Sequence, residues 1–279
     1  MIGSVDAHVH LWNRRTDPQP WIDPVSMAAI DRDFGASELD AMLSTVGVER
    51  AVVVQSSNSA AETARLLAID DARIAGVVGW LDLTADVPAQ LAGMGERDRM
   101  PGIRHLVHID PDPEWLGRGE VARGLGHLAS AGLSFDLVVR WWQLPLAARV
   151  AAEHPSLTFV LDHLGGPPLD GGDDLPAWEA ALRALAERPN VVAKLSGLGG
   201  ALGRSDWTVD DLAPVVEAAI SSFGASRLMY GSDWPLVELT GGARRWHEAV
   251  TRVTAGMSPA ETDAITGGTA CRVYRIEPA

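Results

Sequence analysis

The sequence predicts an α/β protein folded as one closed (β/α)8 TIM barrel, and three observations predict it. Its 279 residues suit a single barrel, whose usual size is about 250 residues. Short apolar or β-branched runs alternate with helix-compatible stretches from one end to the other. The runs number eight, and a strand–helix alternation of that count closes into a barrel of parallel strands. A doubly wound open sheet is the alternative, but no Gly-x-Gly-x-x-Gly turn follows the first strand.

The predicted strands are Ser4–Val9, Arg50–Gln55, Ile74–Trp80, Gly102–Val107, Ser134–Val139, Thr158–Leu161, Val191–Leu195 and Leu228–Gly231. Helical patterns follow at Ala60–Ile69 after the second, Leu144–Glu153 after the fifth and Val209–Phe223 after the seventh. Ser37-Glu38-Leu39-Asp40 has the form of a capping box opening a helix that stops near Gly47. Pro155 and Pro189 each end a helical pattern ahead of a strand. Two stretches exceed the minimal unit. Leu11–Phe34, rich in Trp, Pro and Asp, follows the first strand, and the Gly-rich Leu198–Thr208 follows the seventh. Both lie on the strand-exit side, where long loops wall or cover a site. No break in composition divides the chain, so residues 1–279 are expected to form one domain.

The apolar fraction of 47% is that of an ordinary globular core. A formal charge of −14 disfavours phosphate backbones and therefore nucleic acid as a partner. No run approaches the roughly 20 apolar residues of a membrane span, and the N-terminus lacks the basic and apolar regions of a signal peptide. Cys271 is the only cysteine, so neither an internal disulfide nor a Cys/His metal framework is available. A cytoplasmic protein with a small-molecule substrate is expected; homo-oligomerisation is left open.

Chemistry concentrates at three strand ends. Alternate side chains of a strand share a face, so Asp6, His8 and His10 point the same way. Two imidazoles one pleat apart can grip one divalent cation or polarise one carbonyl. His163, at the end of the sixth strand, is followed by Gly165-Gly166, which lets backbone approach a ligand. Asp233 stands just past the eighth strand between Gly231 and Pro235, as a catalytic carboxylate or a helix cap. Strands one and eight are neighbours in a closed barrel, so His8, His10, His163 and Asp233 can converge at one mouth. Trp12, Trp80, Trp141, Trp142 and Trp234 fall at strand ends, where aromatic faces stack on sugar rings or pack the barrel top. Gln55 is placed to bond a hydroxyl. Lys194 either reaches the site or caps a helix, while His108, His127, His154 and His247 read as surface or packing residues.

The motifs Asp6-Ala7-His8-Val9-His10-Leu11-Trp12, Gly102-Ile103-Arg104-His105, Asp162-His163-Leu164-Gly165, Lys194-Leu195-Ser196-Gly197 and Tyr230-Gly231-Ser232-Asp233-Trp234-Pro235 span nearly the whole chain. In that order they resemble the amidohydrolase superfamily, in its amidohydrolase-related branch of lactone hydrolases. That branch holds sugar lactonases for L-fucono- and L-rhamnono-lactones, 2-pyrone-4,6-dicarboxylate lactonase and, more distantly, metal-dependent decarboxylases. The tryptophan after His-x-His and the Arg104-His105 pair most resemble the sugar-lactone members.

The resemblance implies an enzyme that opens an aldonolactone to its hydroxy acid. Asp233, His163, His10 and His8 would be catalytic, with Asp233 as general base. Trp12, Gln55, Arg104, His105, Trp141 and Trp234 would contact substrate. His8, His10, His163 and Asp233 would hold one divalent ion (Zn2+ or Mn2+) or none, with no organic cofactor. A bridged pair is not expected: Arg104 and His105 stand where binuclear members carry a bridging residue, and the fifth strand ends without a histidine. A lactonase or decarboxylase for an aromatic-derived dicarboxylate is the rival enzyme, which would want several pocket arginines where Arg104 and Arg140 are the obvious ones. A non-catalytic binding barrel is the third reading, disfavoured by the complete His/His/His/Asp set.

Overall fold

The computed structural model describes residues 3–169 and 173–277. Eight strands form one parallel sheet in sequential order: β1 (Val5–Val9), β2 (Arg50–Val54), β3 (Ile74–Gly79), β4 (Gly102–His105), β5 (Ser134–Leu137), β6 (Phe159–Leu161), β7 (Val191–Leu195) and β8 (Leu228–Tyr230). Between β8 and β1 the seam is thinner. A parallel bridge joins Val9 to Trp234. Two backbone bonds close it, His10 N–H to the Trp234 carbonyl at 2.7 Å and Asp233 N–H to the His8 carbonyl at 2.9 Å. The two segments that seal the barrel are thus the two that carry the His-x-His and the aspartate.

The predicted strands are recovered in number and order, and most run one or two residues shorter than the apolar runs suggest. Their last residues peel from the ladder and become the floor of the mouth. Helices Leu144–Glu153 and Val209–Phe223 fall where the pattern puts them, and the second helix spans Ala60–Leu67. One cap differs from expectation. The helix Ala36–Val46 starts from Gly35, whose N–H donates to Glu38 Oε2 at 3.0 Å, and not from Ser37. Glu38 therefore takes the third helical position, where a carboxylate reaches back to the cap. The stop is as read: Gly47 is left-handed with φ +72°.

The sheet is apolar on its outer face and mixed on its inner face. On β2, Ala51 and Val53 belong to the large outer core with the helices, while Val52 and Val54 pack in the smaller cluster with Val78, Val160, Val192 and Met229. Towards the strand exits the inner positions turn from apolar to charged. The long loop 11–34 is pinned by an antiparallel bridge between Trp12 and Phe34. Trp12 is buried and donates its indole N–H to the Arg32 carbonyl at 2.9 Å. Among the described residues no helix is long and apolar enough to cross a membrane.

Candidate active site

The floor is a layer of buried charge contributed by consecutive strands. Lys194 of β7 is fully buried, with Nζ 2.6 Å from Asp136 Oδ2 on β5 and 2.9 Å from Asp162 Oδ1 at the β6 exit. Arg104 of β4 donates Nη1–H to Asp162 Oδ2 at 2.9 Å, and its Nη2 binds the Gln55 carbonyl. Tyr274, from the last helix (Thr269–Tyr274), donates its hydroxyl to Asp136 Oδ2 at 2.6 Å. Two cations against two carboxylates leave the layer balanced, which is the condition for burying ions without a large desolvation penalty. Burial would push Asp162 up, but Lys194, His8 and Arg104 outweigh it and hold it well below the ordinary carboxylate range. Burial raises Asp136 despite Lys194.

A third carboxylate braces the seam. Asp6 Oδ1 accepts the backbone N–H of His8 at 3.1 Å and of Ser232 at 2.9 Å, tying the two barrel-closing segments together. Burial, against its Ser232 hydrogen bonds, lifts Asp6 to about 6.

Above this floor stand the residues of the mouth. His8 Nε2 lies 3.1 Å from His10 Nε2, and Asp233 Oδ1 lies 3.7 Å from the first and 3.3 Å from the second. His10 Nδ1 is 2.7 Å from the Val54 carbonyl, so it carries the proton and leaves a lone pair on Nε2. Asp233 Oδ1 is buried with no hydrogen-bond partner among the described residues. Converging acceptors with an orphaned carboxylate oxygen call for a positive charge between them. The ligand atoms of His8, His10 and Asp233 lie within 4.8 Å of one another, a donor set that fits one divalent cation. A second trio, His8, Asp162 and His163, meets the same distance. Its carboxylate is already held by Arg104 and Lys194, whose charges oppose a further cation there. His163 thus belongs to the mouth but not to the three-ligand corner, unlike the four-residue set expected from the sequence.

Burial would raise Asp233 too, yet His163, His10 and His8 together hold it below the ordinary carboxylate range, so it is ionised at neutral pH. Burial, chiefly, drives His8 well below the ordinary imidazole range. Asp233 and His163 both occupy left-handed backbone, φ +61° and +53°. Such strain at a non-glycine residue persists where surrounding structure over-determines it, characteristically at functional sites.

These groups open into a cavity of about 390 Å³ lined by His10, Arg104, His163 and Asp233 at its base, by Leu106, Val138, Val139 and Leu236 on its walls, and by Trp21, His108 and Arg140. Of the expected substrate contacts, only Arg104 borders it. Gln55 is fully buried and bonds the Arg104 carbonyl at 3.0 Å. His105 points to the opposite face of β4, stacked on Trp115 with ring centroids 3.7 Å apart and bonded to Asp110 at 2.9 Å. Trp12 and Trp234 pack around Phe34 in the core, and Trp141 is half-buried against that core. Trp80 donates its indole N–H to His105 Nδ1 at 3.1 Å. The tryptophan that does face the cavity is Trp21, from the middle of the first loop.

Sequence reasoning also passed over Asp136, Asp162 and Tyr274, and it read His108, which lines the cavity, as a surface or packing residue. The first two carried a signal, since Asp136 is an ionisable residue within a short buried strand and Asp162 directly follows the apolar run of β6. Tyr274 carried none.

The amidohydrolase family profile matches residues 5–276, nearly the whole barrel. The chain belongs to that family. It is 36% identical over 282 residues to L-fucono-1,5-lactonase of Burkholderia ambifaria, covering 98% of this chain and 96% of the relative. It is 25% identical to a 2-pyrone-4,6-dicarboxylate hydrolase of Comamonas testosteroni, over 84% of this chain and 77% of the relative. Among solved structures, a zinc-bound amidohydrolase of Burkholderia multivorans superposes with a TM-score of 0.91 at 35% identity, covering 98% of this chain and 99% of that one.

Proposed function

We propose that this protein is a sugar-lactone hydrolase, opening an aldonolactone of the L-fucono-1,5-lactone type to its hydroxy acid in the cytoplasm. The observation that carries the reading is an ionised Asp233, unpaired with any lysine or arginine among the described residues, at the base of a mostly apolar-walled cavity beside three imidazoles. Near full-length similarity to L-fucono-1,5-lactonase supports the substrate class.

Hydrolysis requires a nucleophilic water, a polarised carbonyl and a protonated leaving oxygen. Asp233 takes a proton from water as the water oxygen attacks the lactone carbonyl carbon. The developing oxyanion is stabilised by the imidazole N–H of His163 at the base of the cavity. When the tetrahedral intermediate collapses, the ring C–O bond breaks and the proton held by Asp233 returns to the departing alkoxide, leaving a hydroxy acid. His8, His10 and Asp233 would hold one divalent cation, which would add Lewis-acid polarisation of the carbonyl. His8 is aimed by Asp162 and Lys194, and His10 by the Val54 carbonyl, so both present Nε2 to the same point.

A dicarboxylate substrate is less well served. Arg104 is spent on Asp162 and Gln55, which leaves Arg140 as the cavity arginine not tied to a carboxylate. The test is a comparison of acid release from L-fucono-1,5-lactone, other aldonolactones and 2-pyrone-4,6-dicarboxylate by a pH-indicator assay. Faster opening of a sugar lactone is expected; preference for the dicarboxylate overturns the substrate assignment.

A further inference from the structure

We propose that Ser196 is a positioning residue that keeps the proton of His163 on Nε2, so that His163 meets the substrate as an N–H donor. It would then be neither a base nor a cation ligand. The inference deepens the lactonase reading and rests on it for the identity of the acceptor, a carbonyl oxygen.

Ser196 follows directly on β7 and is fully buried. Its Oγ lies 2.9 Å from His163 Nδ1, and no other partner of that hydroxyl is found among the described residues. The pair has two states. Either the hydroxyl donates to Nδ1, or Nδ1–H donates to the hydroxyl. In the second, the serine hydrogen is buried with no acceptor, which costs the desolvation penalty of a lost hydrogen bond. In the first, only surplus lone pairs go unfilled, a smaller loss. The hydroxyl therefore donates, Nδ1 accepts, and a neutral imidazole carries its hydrogen on Nε2. That atom belongs to a ring bordering the cavity beside Asp233.

The surroundings are shaped to this contact. Gly197, at φ +66°, has no Cβ; one built there would sit 2.5 Å from His163 Nδ1 and 3.1 Å from Asp233 Oδ2. A Cβ on Gly231 would sit 3.1 Å from that of Ser196. Glycine on both sides lets the short hydroxyl approach the ring while Asp233 abuts the same spot. The result is a division of labour across one glycine, with Asp233 as acceptor of protons and His163 as donor of a hydrogen bond. With Nδ1 taken by Ser196 and Nε2 protonated, His163 has no lone pair for a metal.

The experiment is long-range 1H–15N correlation of 15N-histidine-labelled protein, with His163→Asn used to identify the His163 signals. The expected wild-type spectrum shows the proton on Nε2. A proton on Nδ1 overturns the proposal, and this measurement stands alone should Ser196→Ala not fold. In folded Ser196→Ala, Nδ1–H should become populated. The kcat for lactone should fall about tenfold or more, short of the 10²–10³ of a deleted oxyanion donor, while KM stays within about twofold because uniform binding is untouched. An unchanged kcat overturns the proposal. Metal content offers a third readout: His163→Asn should keep its divalent ion, and loss of that ion would make His163 a ligand and refute the donor role. If wild-type protein opens no lactone, the lactonase reading fails while the spectrum still decides the tautomer.

Discussion

Asp233→Asn is the substitution that most directly tests the assigned chemistry. Asparagine keeps the volume and tolerates the left-handed backbone at φ +61° better than most residues. The main-chain bond from residue 233 N–H to the His8 carbonyl at 2.9 Å, part of the barrel seam, does not involve the side chain. The fold should therefore survive with little change. What is lost is the acceptor of the water proton, because a carboxamide does not take up a proton near neutral pH. A positioned general base contributes about 10²–10⁴-fold in rate, or roughly 3–5 kcal/mol at 1.36 kcal/mol per decade. The assay is initial-rate acid release from L-fucono-1,5-lactone at saturation, corrected for spontaneous opening, with circular dichroism and a urea midpoint as controls for folding. A folded variant that keeps more than about a tenth of the rate, well outside that range, would remove Asp233 as the base. His163 would then be the next group to examine, and the Ser196 argument would have to be reversed with it.

Three further outcomes are expected. Lys194→Met should destabilise the protein by about 3–5 kcal/mol in urea unfolding, because Asp136 and Asp162 are left buried without their shared cation; a loss below about 1 kcal/mol would show that the charge layer is not structural. Elemental analysis should find about one divalent ion per chain, consistent with a single three-ligand corner. His10→Asn should lose it, and two ions per chain would mean a second ligand set has been overlooked. Burial, reinforced by Arg104 and Arg140, depresses His108 from 6.5 to about 4. The unfolded chain then binds a proton between those pH values that the folded chain does not. The His108 contribution is thus fully present above pH 6.5 and declines by on the order of 3 kcal/mol as pH falls to 4. Histidine NMR titration should show His108 neutral at pH 5.5, and an ordinary midpoint near 6.5 would contradict its placement.

The barrel was legible because each strand needs an apolar outer face against its helix, and that requirement writes period-two hydrophobicity between Gly and Pro punctuation. The same alternation placed His8 and His10 together, and it applies equally to β4. Arg104 faces the axis, so its neighbour His105 must face away, and it stacks on Trp115. Reading both as substrate contacts let a motif override the pleat. The tryptophans failed for another reason. Position along the chain says that Trp12 and Trp234 lie at strand exits, but not that the first loop folds back and buries them around Phe34. Trp21, with no strand to fix its direction, is the ring that reaches the cavity. Tyr274 is recruited by a helix packing under the barrel, a tertiary contact for which no local pattern exists.

Four buried carboxylates lie at or near the mouth, and their partners separate their roles more sharply than their positions do. Asp6 is taken by two backbone N–H groups across the seam. Asp136 is shared by Lys194 and Tyr274, and Asp162 by Arg104 and Lys194. Asp136 and Asp162 have their charge committed to cations. Asp6 commits Oδ1 to the seam and keeps Oδ2 buried without a partner among the described residues, and burial lifts its pKa to about 6. Asp233 alone faces only imidazoles and the cavity, and its Oδ1 accepts nothing among the described residues. A carboxylate must be ionised and have an uncommitted lone pair to accept a proton from water. Against the effect of burial, the neighbouring imidazoles of His163, His10 and His8 supply the first condition by holding Asp233 below the ordinary carboxylate range. The second follows because no lysine or arginine among the described residues lies at its oxygens. Of the four, Asp233 is the one that both borders the cavity and is held below the ordinary carboxylate range, which is why the base is assigned to it.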